Sequence, residues 1–151
     1  MNTKSGVLNL VSLGPGAAEQ ITPAAMTAID NAEVIVGYEL YLLPLAERIA
    51  DKEVIAMPLT QERERATAAI ARARLGKNVA LVSSGDIGIY AMATLAFEQM
   101  SEDDSFTVQV FPGITAAGAC ASLLGAPLSH DFATLSLSDL LCPWDWIEHR
   151  A

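Results

Sequence analysis

Basic residues are scarce in this chain. Its 151 residues include 9 lysines and arginines against 18 aspartates and glutamates, which gives a net charge of -9. Nucleic-acid binding needs a basic surface that displaces counterions from phosphates, and anionic membranes also attract basic segments. The acidic balance therefore predicts that neither a nucleic acid nor a membrane is a partner.

Cysteine is almost absent as well. The two cysteines, Cys120 and Cys142, have apolar neighbours in the sequence, and no CxxC pair or Cys/His cluster occurs. Zinc sites and disulfide frameworks depend on such clusters, so we predict no metal site and two buried free thiols. Reduced thiols, together with the lack of an apolar secretory segment at the N-terminus, predict a cytoplasmic protein.

Charged residues of both signs are few, at 18%, whereas hydrophobic residues make up 52%. This composition excludes disorder and favours a heavily buried domain. Residues 105–130 carry no charge and are numerous enough to span a bilayer. Because Pro112-Gly113 and Gly125-Ala126-Pro127 interrupt them, we predict a buried strand, loop and helix instead.

Short apolar runs alternate with helical segments along the chain. The predicted strands are 7–13, 34–36, 54–57, 79–82 and 107–111, and the predicted helices are 23–31, 38–50, 60–75, 88–100 and 114–124. Continuous apolar strands that alternate with helices indicate a parallel sheet covered on both faces. The predicted fold class is therefore α/β, with a five-stranded, mainly parallel sheet flanked by helices.

The alternation changes after Pro127. Residues 130–138 fit either an extended connector or a sixth strand, and residues 143–150 predict the first turns of a helix. We therefore predict an α/β domain over 1–126, followed over 127–151 by an interdomain connector and the beginning of a second domain that the chain does not complete.

Three loops that contain glycine follow predicted strands. They are Gly14-Pro15-Gly16, Ser84-Gly85-Asp86-Ile87-Gly88 and Pro112-Gly113-Ile114-Thr115-Ala116. Ligands of parallel α/β sheets bind beyond the carboxyl ends of the strands, and glycine allows a close approach to the backbone. One such loop is usually only a turn, but three at the same edge predict a shared ligand cleft.

The common nucleotide-binding motifs are missing. The first loop is not G-x-G-x-x-G, and no acidic residue closes the second strand, where Val36 is followed by Gly37 and Tyr38. No G-K-[ST] sequence occurs either. An ordinary NAD site and a Walker loop are both excluded.

Three segments carry a further pattern in their order along the chain: Leu13-Gly14-Pro15-Gly16, Ser84-Gly85-Asp86-Ile87-Gly88-Ile89-Tyr90 and Pro112-Gly113-Ile114-Thr115-Ala116. In this order they resemble the tetrapyrrole methylase family. Its members have two α/β domains, with S-adenosylmethionine bound between them. The C-terminal part of the chain resembles one branch of this family, which methylates C-17 of a corrinoid precursor and contracts its ring in cobalamin biosynthesis. The segments that carry this resemblance are His130-Asp131-Phe132, Ser136-Leu137-Ser138-Asp139-Leu140-Leu141 and Pro143-Trp144. The resemblance covers nearly the whole chain.

The resemblance implies an S-adenosylmethionine-dependent methyltransferase that acts as a homodimer on a tetrapyrrole, with or without cobalt. It implies cofactor contacts at Pro15, Ser84, Gly85, Asp86, Ile89, Tyr90, Thr115 and Ala116. Ring contraction also needs proton handling, for which His130 and Asp139 are candidates. The alternative role of His130 is that of a connector histidine bonded to the backbone, and the alternative role of Asp139 is that of a helix cap.

Two alternative functions stay open. One is methylation of another tetrapyrrole position, of ribosomal RNA or of a protein by a relative within the same family. The other is a chain that only dimerises or binds a ligand, and we expect this chain to be inactive without a second domain.

The four arginines of the predicted helix 60–75 (Arg63, Arg65, Arg72 and Arg74) are predicted to form a solvated face.

Overall fold

The computed structural model describes residues 5–137 and 143–150 of the chain. The chain divides after Ala116 into two compact units. The first unit contains a single sheet of five strands in the order β3-β2-β4-β1-β5. The strands are β1 (Val7–Ser12), β2 (Val34–Tyr38), β3 (Glu53–Met57), β4 (Asn78–Ser83) and β5 (Thr107–Phe111).

Every pair of neighbouring strands in this sheet is parallel. Parallel strands need crossover connections, which helices supply between them. The α/β fold class with a five-stranded sheet is therefore confirmed, and over the described residues the sheet is wholly rather than mainly parallel.

The described residues of the first unit form four α-helices: α1 (Pro23–Asn31), α2 (Glu39–Leu42), α3 (Glu62–Arg74) and α4 (Met92–Gln99). Helix α1 has the predicted bounds, because the Thr22 hydroxyl accepts a hydrogen bond from the Ala25 amide at 3.2 Å and Pro23 occupies the first turn. The single long helix predicted over 38–50 is wrong. Helix α2 ends at Leu42 and a 3₁₀ turn, Leu43–Leu45, contains Pro44, which has no amide hydrogen to continue an α-helix.

Two further boundaries differ from the prediction. The helix predicted over 60–75 begins at Glu62 instead: Thr60 has a φ of 73°, and Gln61 precedes the first helical residue. Helix α4 begins at Met92 rather than at Gly88, because Tyr90 has a φ of 50°, which a right-handed helix does not accommodate. The loop after β4 is therefore longer than the sequence indicated.

Apolar side chains cover both faces of the sheet. On one face, Leu8, Leu10 and Leu81 pack against the alanine-rich side of α3 and against α4. On the other face, Val11, Ile35 and Val82 pack against α1 and the segment around α2. Burial of apolar surface on both faces stabilises the sheet, and the loops at its carboxyl edge start from a rigid base.

Helix α5 (Ala116–Leu123) begins at the last residue of the first unit and continues in the second unit, which also contains α6 (Trp144–Arg150). The described residues 130–137 form no strand, so the sixth strand is not found there. The domain division predicted at residue 126 stays a prediction. Within the described ranges, no helix has the length and hydropathy needed to cross a membrane.

Candidate functional site

The loops after β1 and β4 are joined at the carboxyl edge of the sheet. The Gly14 amide donates to the Gly85 carbonyl at 3.1 Å, and the Gly85 amide donates to the Gly14 carbonyl at 2.6 Å. Both residues have left-handed backbones, with φ of 69° and 61°. Because side chains with a Cβ disfavour that conformation, this bridge explains why glycine stands at both positions.

The loop after β5 is tied to the same structure through Asp86. Its Oδ2 accepts a hydrogen bond from the Gly113 amide, and its Oδ1 accepts one from the Gly88 amide, each at 2.8 Å. A Cβ added to Gly113 would lie 2.4 Å from the Cβ of Ser12 and 2.7 Å from the Gly85 carbonyl oxygen. The three glycine loops are therefore interlocked, and this approach requires glycine at position 113.

Ser12 connects the end of β1 to the loop after β4. It is fully buried at the end of β1, and its hydroxyl accepts a hydrogen bond from the Ile87 amide at 2.9 Å. Sequence reasoning placed Gly113 in the third loop but missed Ser12 as a structural determinant of the site. The available signal was the Pro112-Gly113 pair directly after a strand, whereas nothing near Ser12 in the sequence indicates its partner.

The structure brings the eight residues of the predicted cofactor site to these loops and their flanks in the first unit. They are Pro15, Ser84, Gly85, Asp86, Ile89, Tyr90, Thr115 and Ala116. Ile89 and Tyr90 are 45% and 66% exposed, and Tyr90 has a left-handed backbone. Residues held in that conformation are uncommon and concentrate at functional sites, which makes Tyr90 a candidate ligand contact.

A cavity of about 250 Å³ adjoins the first two loops. Pro15 and Ser84 line it together with Leu40, Tyr41 and Pro44, which come from the segment that follows β2. None of the described side chains that line this cavity carries a charge.

One arginine of α3 contradicts the predicted solvated face. Arg65 is only 4% exposed, and its Nη1 donates to the Pro58 carbonyl at 2.7 Å. Its Nη2 donates to Glu62 Oε1 at 2.8 Å, and its Cζ lies 5.9 Å from the centre of the Tyr38 ring. The prediction is wrong for Arg65 because two of its partners, the Pro58 carbonyl after β3 and the Tyr38 ring at the end of β2, lie outside α3, and helical periodicity does not reveal them.

Glu62 responds electrostatically to this arrangement. Partial burial acts to raise the pKa of Glu62, but hydrogen bonds from backbone amides and from Arg65 outweigh it, and the pKa lies below its ordinary value. The other paired arginines of α3 lie nearer the surface, where Arg72 contacts Glu53 and Arg74 contacts Asp104.

The two candidate proton-transfer residues are not brought together by the described structure. His130 is exposed and belongs to the second unit, and Asp139 lies outside the described residues.

Cys120 is a free thiol but is exposed, so its predicted burial is wrong; it lies on the short helix α5. Cys142 lies outside the described residues. Among the side chains described, no group of three His, Cys, Asp or Glu residues is arranged to hold a metal.

Interlocked glycine loops at the carboxyl edge of a parallel sheet are typical of α/β domains that bind small ligands, and comparison with known proteins identifies the family. Residues 7–151 match the Tetrapyrrole (Corrin/Porphyrin) Methylases, and the chain belongs to that family. It is 48% identical over 145 residues to a probable cobalt-factor III C(17)-methyltransferase of Salmonella typhimurium, covering 95% of this chain and 60% of that protein.

Two further proteins are similar. A precorrin-3B C(17)-methyltransferase of a Sinorhizobium species is 41% identical over 150 residues, covering 97% of this chain and 59% of that protein. The crystal structure of the methyltransferase CobJ matches with a TM-score of 0.85 and 39% identity, covering 97% of this chain and 62% of that one. The chain thus spans about 60% of the length of these two relatives.

Proposed function

We propose that the protein transfers a methyl group from S-adenosylmethionine to C-17 of precorrin-3B or its cobalt form, with contraction of the macrocycle, in cobalamin biosynthesis. The names of the Salmonella and Sinorhizobium relatives support this proposal, at 48% and 41% identity over almost the whole chain. Because the chain spans only about 60% of those relatives, the activity is proposed for the whole protein.

The observation that carries the proposal is the interlocked edge formed by the three glycine loops. Gly14, Gly85 and Gly113 are held together by amide hydrogen bonds and by the carboxylate of Asp86. A polar cofactor that meets such a surface finds fixed backbone groups and does not have to order mobile loops on binding. A preorganised edge of this kind suits a small-molecule donor whose reactive group must be aimed.

The chemistry of these loops suits a positively charged methyl donor. Segments 13–16, 84–90 and 112–116 contain no lysine or arginine that would repel a sulfonium, and they contain one carboxylate, that of Asp86. Pro15, Ser84, Gly85, Asp86, Ile89, Tyr90, Thr115 and Ala116 would hold the cofactor. Both oxygens of Asp86 already accept backbone hydrogen bonds, so its main contribution is to orient the amides and carbonyls of the loops.

The bound cofactor supplies an electrophilic methyl group. The residues of the three loops act by orientation, since holding donor and acceptor in line provides a large share of the rate of a displacement. Proton transfers during ring contraction require a separate acid or base. His130, exposed in the second unit, and Asp139 are the candidates for that role.

We further propose that the protein works as a cytoplasmic homodimer. Large apolar side chains in the second unit support a partner surface: Leu123, Leu124, Phe132, Trp144 and Trp146 are each at least 58% exposed. Exposed side chains of this size suit a surface that packs against a partner, and two-fold symmetry is the commonest arrangement of soluble oligomers. The free thiol of Cys120 is compatible with a reducing compartment.

The test is a methyl-transfer assay on the protein at its full natural length. It is incubated with S-adenosylmethionine carrying a ¹³C-labelled methyl group and with precorrin-3B. We expect the label at C-17 of a ring-contracted product, located by NMR. Label at another carbon would favour a different tetrapyrrole methyltransferase of the family, and binding of both ligands without transfer would favour a non-catalytic role.

A further inference from the structure

The cavity next to the first loop has one wall that the proposed cofactor contacts do not explain. Its volume is about 250 Å³; residues of the segment 13–21 and Ser84 contribute most of its lining, and the remainder includes Leu40, Tyr41 and Pro44. The last three belong to the segment after β2. Pockets for drug-sized ligands are larger, about 300–1,000 Å³, so this cavity suits one ring of a ligand rather than a whole macrocycle.

The order of the strands separates only the wall formed by Leu40, Tyr41 and Pro44 from the cofactor loops. The proposed cofactor residues follow β1, β4 and β5, which include the central strands and one edge of the sheet. The segment after β2 lies on the opposite flank of β4. A ligand in the cavity would therefore lie beside a cofactor, and the two would meet at the shared residues Pro15 and Ser84. Transfer of a methyl group requires such contact between donor and acceptor.

The lining of the cavity favours an apolar ring over an adenine or an amino-acid tail. The Ser84 hydroxyl and the Tyr41 hydroxyl are the polar side-chain groups among the described lining residues, and none is charged. Adenine presents several donors and acceptors, and a carboxylate or ammonium buried without a partner is costly. A tetrapyrrole can place the flat apolar face of one ring against this lining, while its carboxylates, on flexible arms, remain in water at the mouth.

Tyr41 is held rigidly in the wall of this cavity. Its ring packs edge-on against Tyr38, with ring centres 5.0 Å apart and planes at 86°. The ring centre of Tyr38 also lies 5.9 Å from the guanidinium carbon of the buried Arg65. Arg65 is in turn fixed by Pro58 and Glu62. A fixed aromatic wall is a typical feature of sites that discriminate between flat ligands.

We infer that this cavity receives one ring of the tetrapyrrole, with Leu40 at its lining and Tyr41 as a wall that determines substrate specificity. The inference rests on the proposed function, since that function supplies the class of substrate.

The test compares Leu40→Trp with Leu43→Trp in the full-length protein. Both leucines are exposed, at 58% and 66%, and lie three positions apart, but only Leu40 lines the cavity. Precorrin-3B and S-adenosylhomocysteine are each titrated against both variants. We expect Leu40→Trp to weaken precorrin-3B binding roughly tenfold by filling the cavity, and Leu43→Trp to leave it unchanged. Affinity for S-adenosylhomocysteine should be unchanged in both.

The outcomes separate this inference from the proposed function. If the wild-type protein transfers the methyl group but Leu40→Trp behaves like Leu43→Trp, the cavity is not a substrate site and the function stands. If only Leu40→Trp weakens precorrin-3B binding in a protein that transfers no methyl group, the inference stands and the function is wrong. Loss of S-adenosylhomocysteine binding in Leu40→Trp alone would assign the cavity to the cofactor. If wild-type protein binds no precorrin-3B, both fail.

Discussion

The carboxylate of Asp86 accepts the amide hydrogen of Gly113 at 2.8 Å across a separation of 27 residues. This one contact joins the loop after β4 to the loop after β5. The second oxygen of Asp86 accepts the Gly88 amide and closes a local turn. Asp86 therefore acts first on the shape of the site, and any effect on a ligand is transmitted largely through the backbone that it orients.

Replacement of Asp86 by alanine should weaken both the fold of the loops and the binding of the cofactor. Hydrogen bonds to a charged group contribute about 1.5–3 kcal/mol each, so we expect a loss of cofactor affinity of roughly tenfold or more. The melting temperature should fall in the same variant. Calorimetric titration with S-adenosylhomocysteine and thermal unfolding measure the two effects on the full-length protein.

Asp103→Ala is the matched control, because Asp103 is exposed in the turn before β5. Asp104 is a poor control, since its carboxylate pairs with Arg74. Asp86→Asn keeps an oxygen for one of the two amides and should give an intermediate affinity. If Asp86→Ala altered neither melting nor affinity, the loop of residues 84–88 would not belong to the cofactor site.

Addition of a methyl group at Gly113 should disrupt the same edge by steric conflict. The new Cβ would lie 2.4 Å from the Cβ of Ser12, and both atoms are attached to constrained backbone. We expect Gly113→Ala to destabilise the protein by about 1–3 kcal/mol, the range seen for overpacked interiors. Urea unfolding measures the change.

The control for that substitution is Gly118→Ala, which places the same methyl group on an exposed position of α5. Alanine is favoured over glycine inside a helix by about 0.5–1 kcal/mol, so this variant should be as stable as wild type or slightly more stable. Equal stability of Gly113→Ala and wild type would mean that the loops after β1 and β5 can separate without cost.

Local sequence signals were sufficient for some elements and insufficient for others. The bounds of α1 follow from Thr22-Pro23, which act within one helical turn, and β5 ends where Pro112 follows it. The positions of the glycine loops could be predicted because glycine follows apolar strands. The hydrogen bond between Asp86 and Gly113 could not be predicted, because the sheet alone brings these two segments together and no local sequence signal indicates their contact.

Arg65 shows the same limit on a helix surface. Its charge and its neighbours in α3 indicate a solvated position, yet its partners are a carbonyl after β3 and a ring at the end of β2. We expect Arg65→Ala to destabilise the protein by about 2–4 kcal/mol, since it removes packing and leaves the Pro58 carbonyl without its donor.

Arg63→Ala is the comparison for this substitution, because Arg63 is exposed in the first turns of the same helix. A surface change of this kind is expected to stay within about 0.5 kcal/mol of wild type. Arg65→Lys should not restore stability, because an ammonium cannot reproduce the two-pronged contact with Pro58 and Glu62 and the stacking on Tyr38. Similar unfolding midpoints for Arg63→Ala and Arg65→Ala would contradict the structural role of Arg65.

The ion pair between Arg74 and Asp104 predicts a specific dependence of stability on pH. Arg74 donates to both oxygens of Asp104, at 2.5 Å and 2.9 Å, and this hydrogen bonding holds the pKa of Asp104 below its ordinary value. A carboxyl group whose pKa is lower in the folded state than in the unfolded chain favours folding above its unfolded pKa of about 3.9, and that contribution disappears as the pH falls through the folded pKa. We therefore expect wild type to be more stable than Asp104→Asn at neutral pH and the difference to shrink only below about pH 4.

Urea unfolding across the acid range, with Asp103→Asn as the control, measures this difference. Because the carboxylate is lost with acid while Arg74 stays charged, a difference that persisted unchanged to about pH 2 would have to arise from something other than this ion pair.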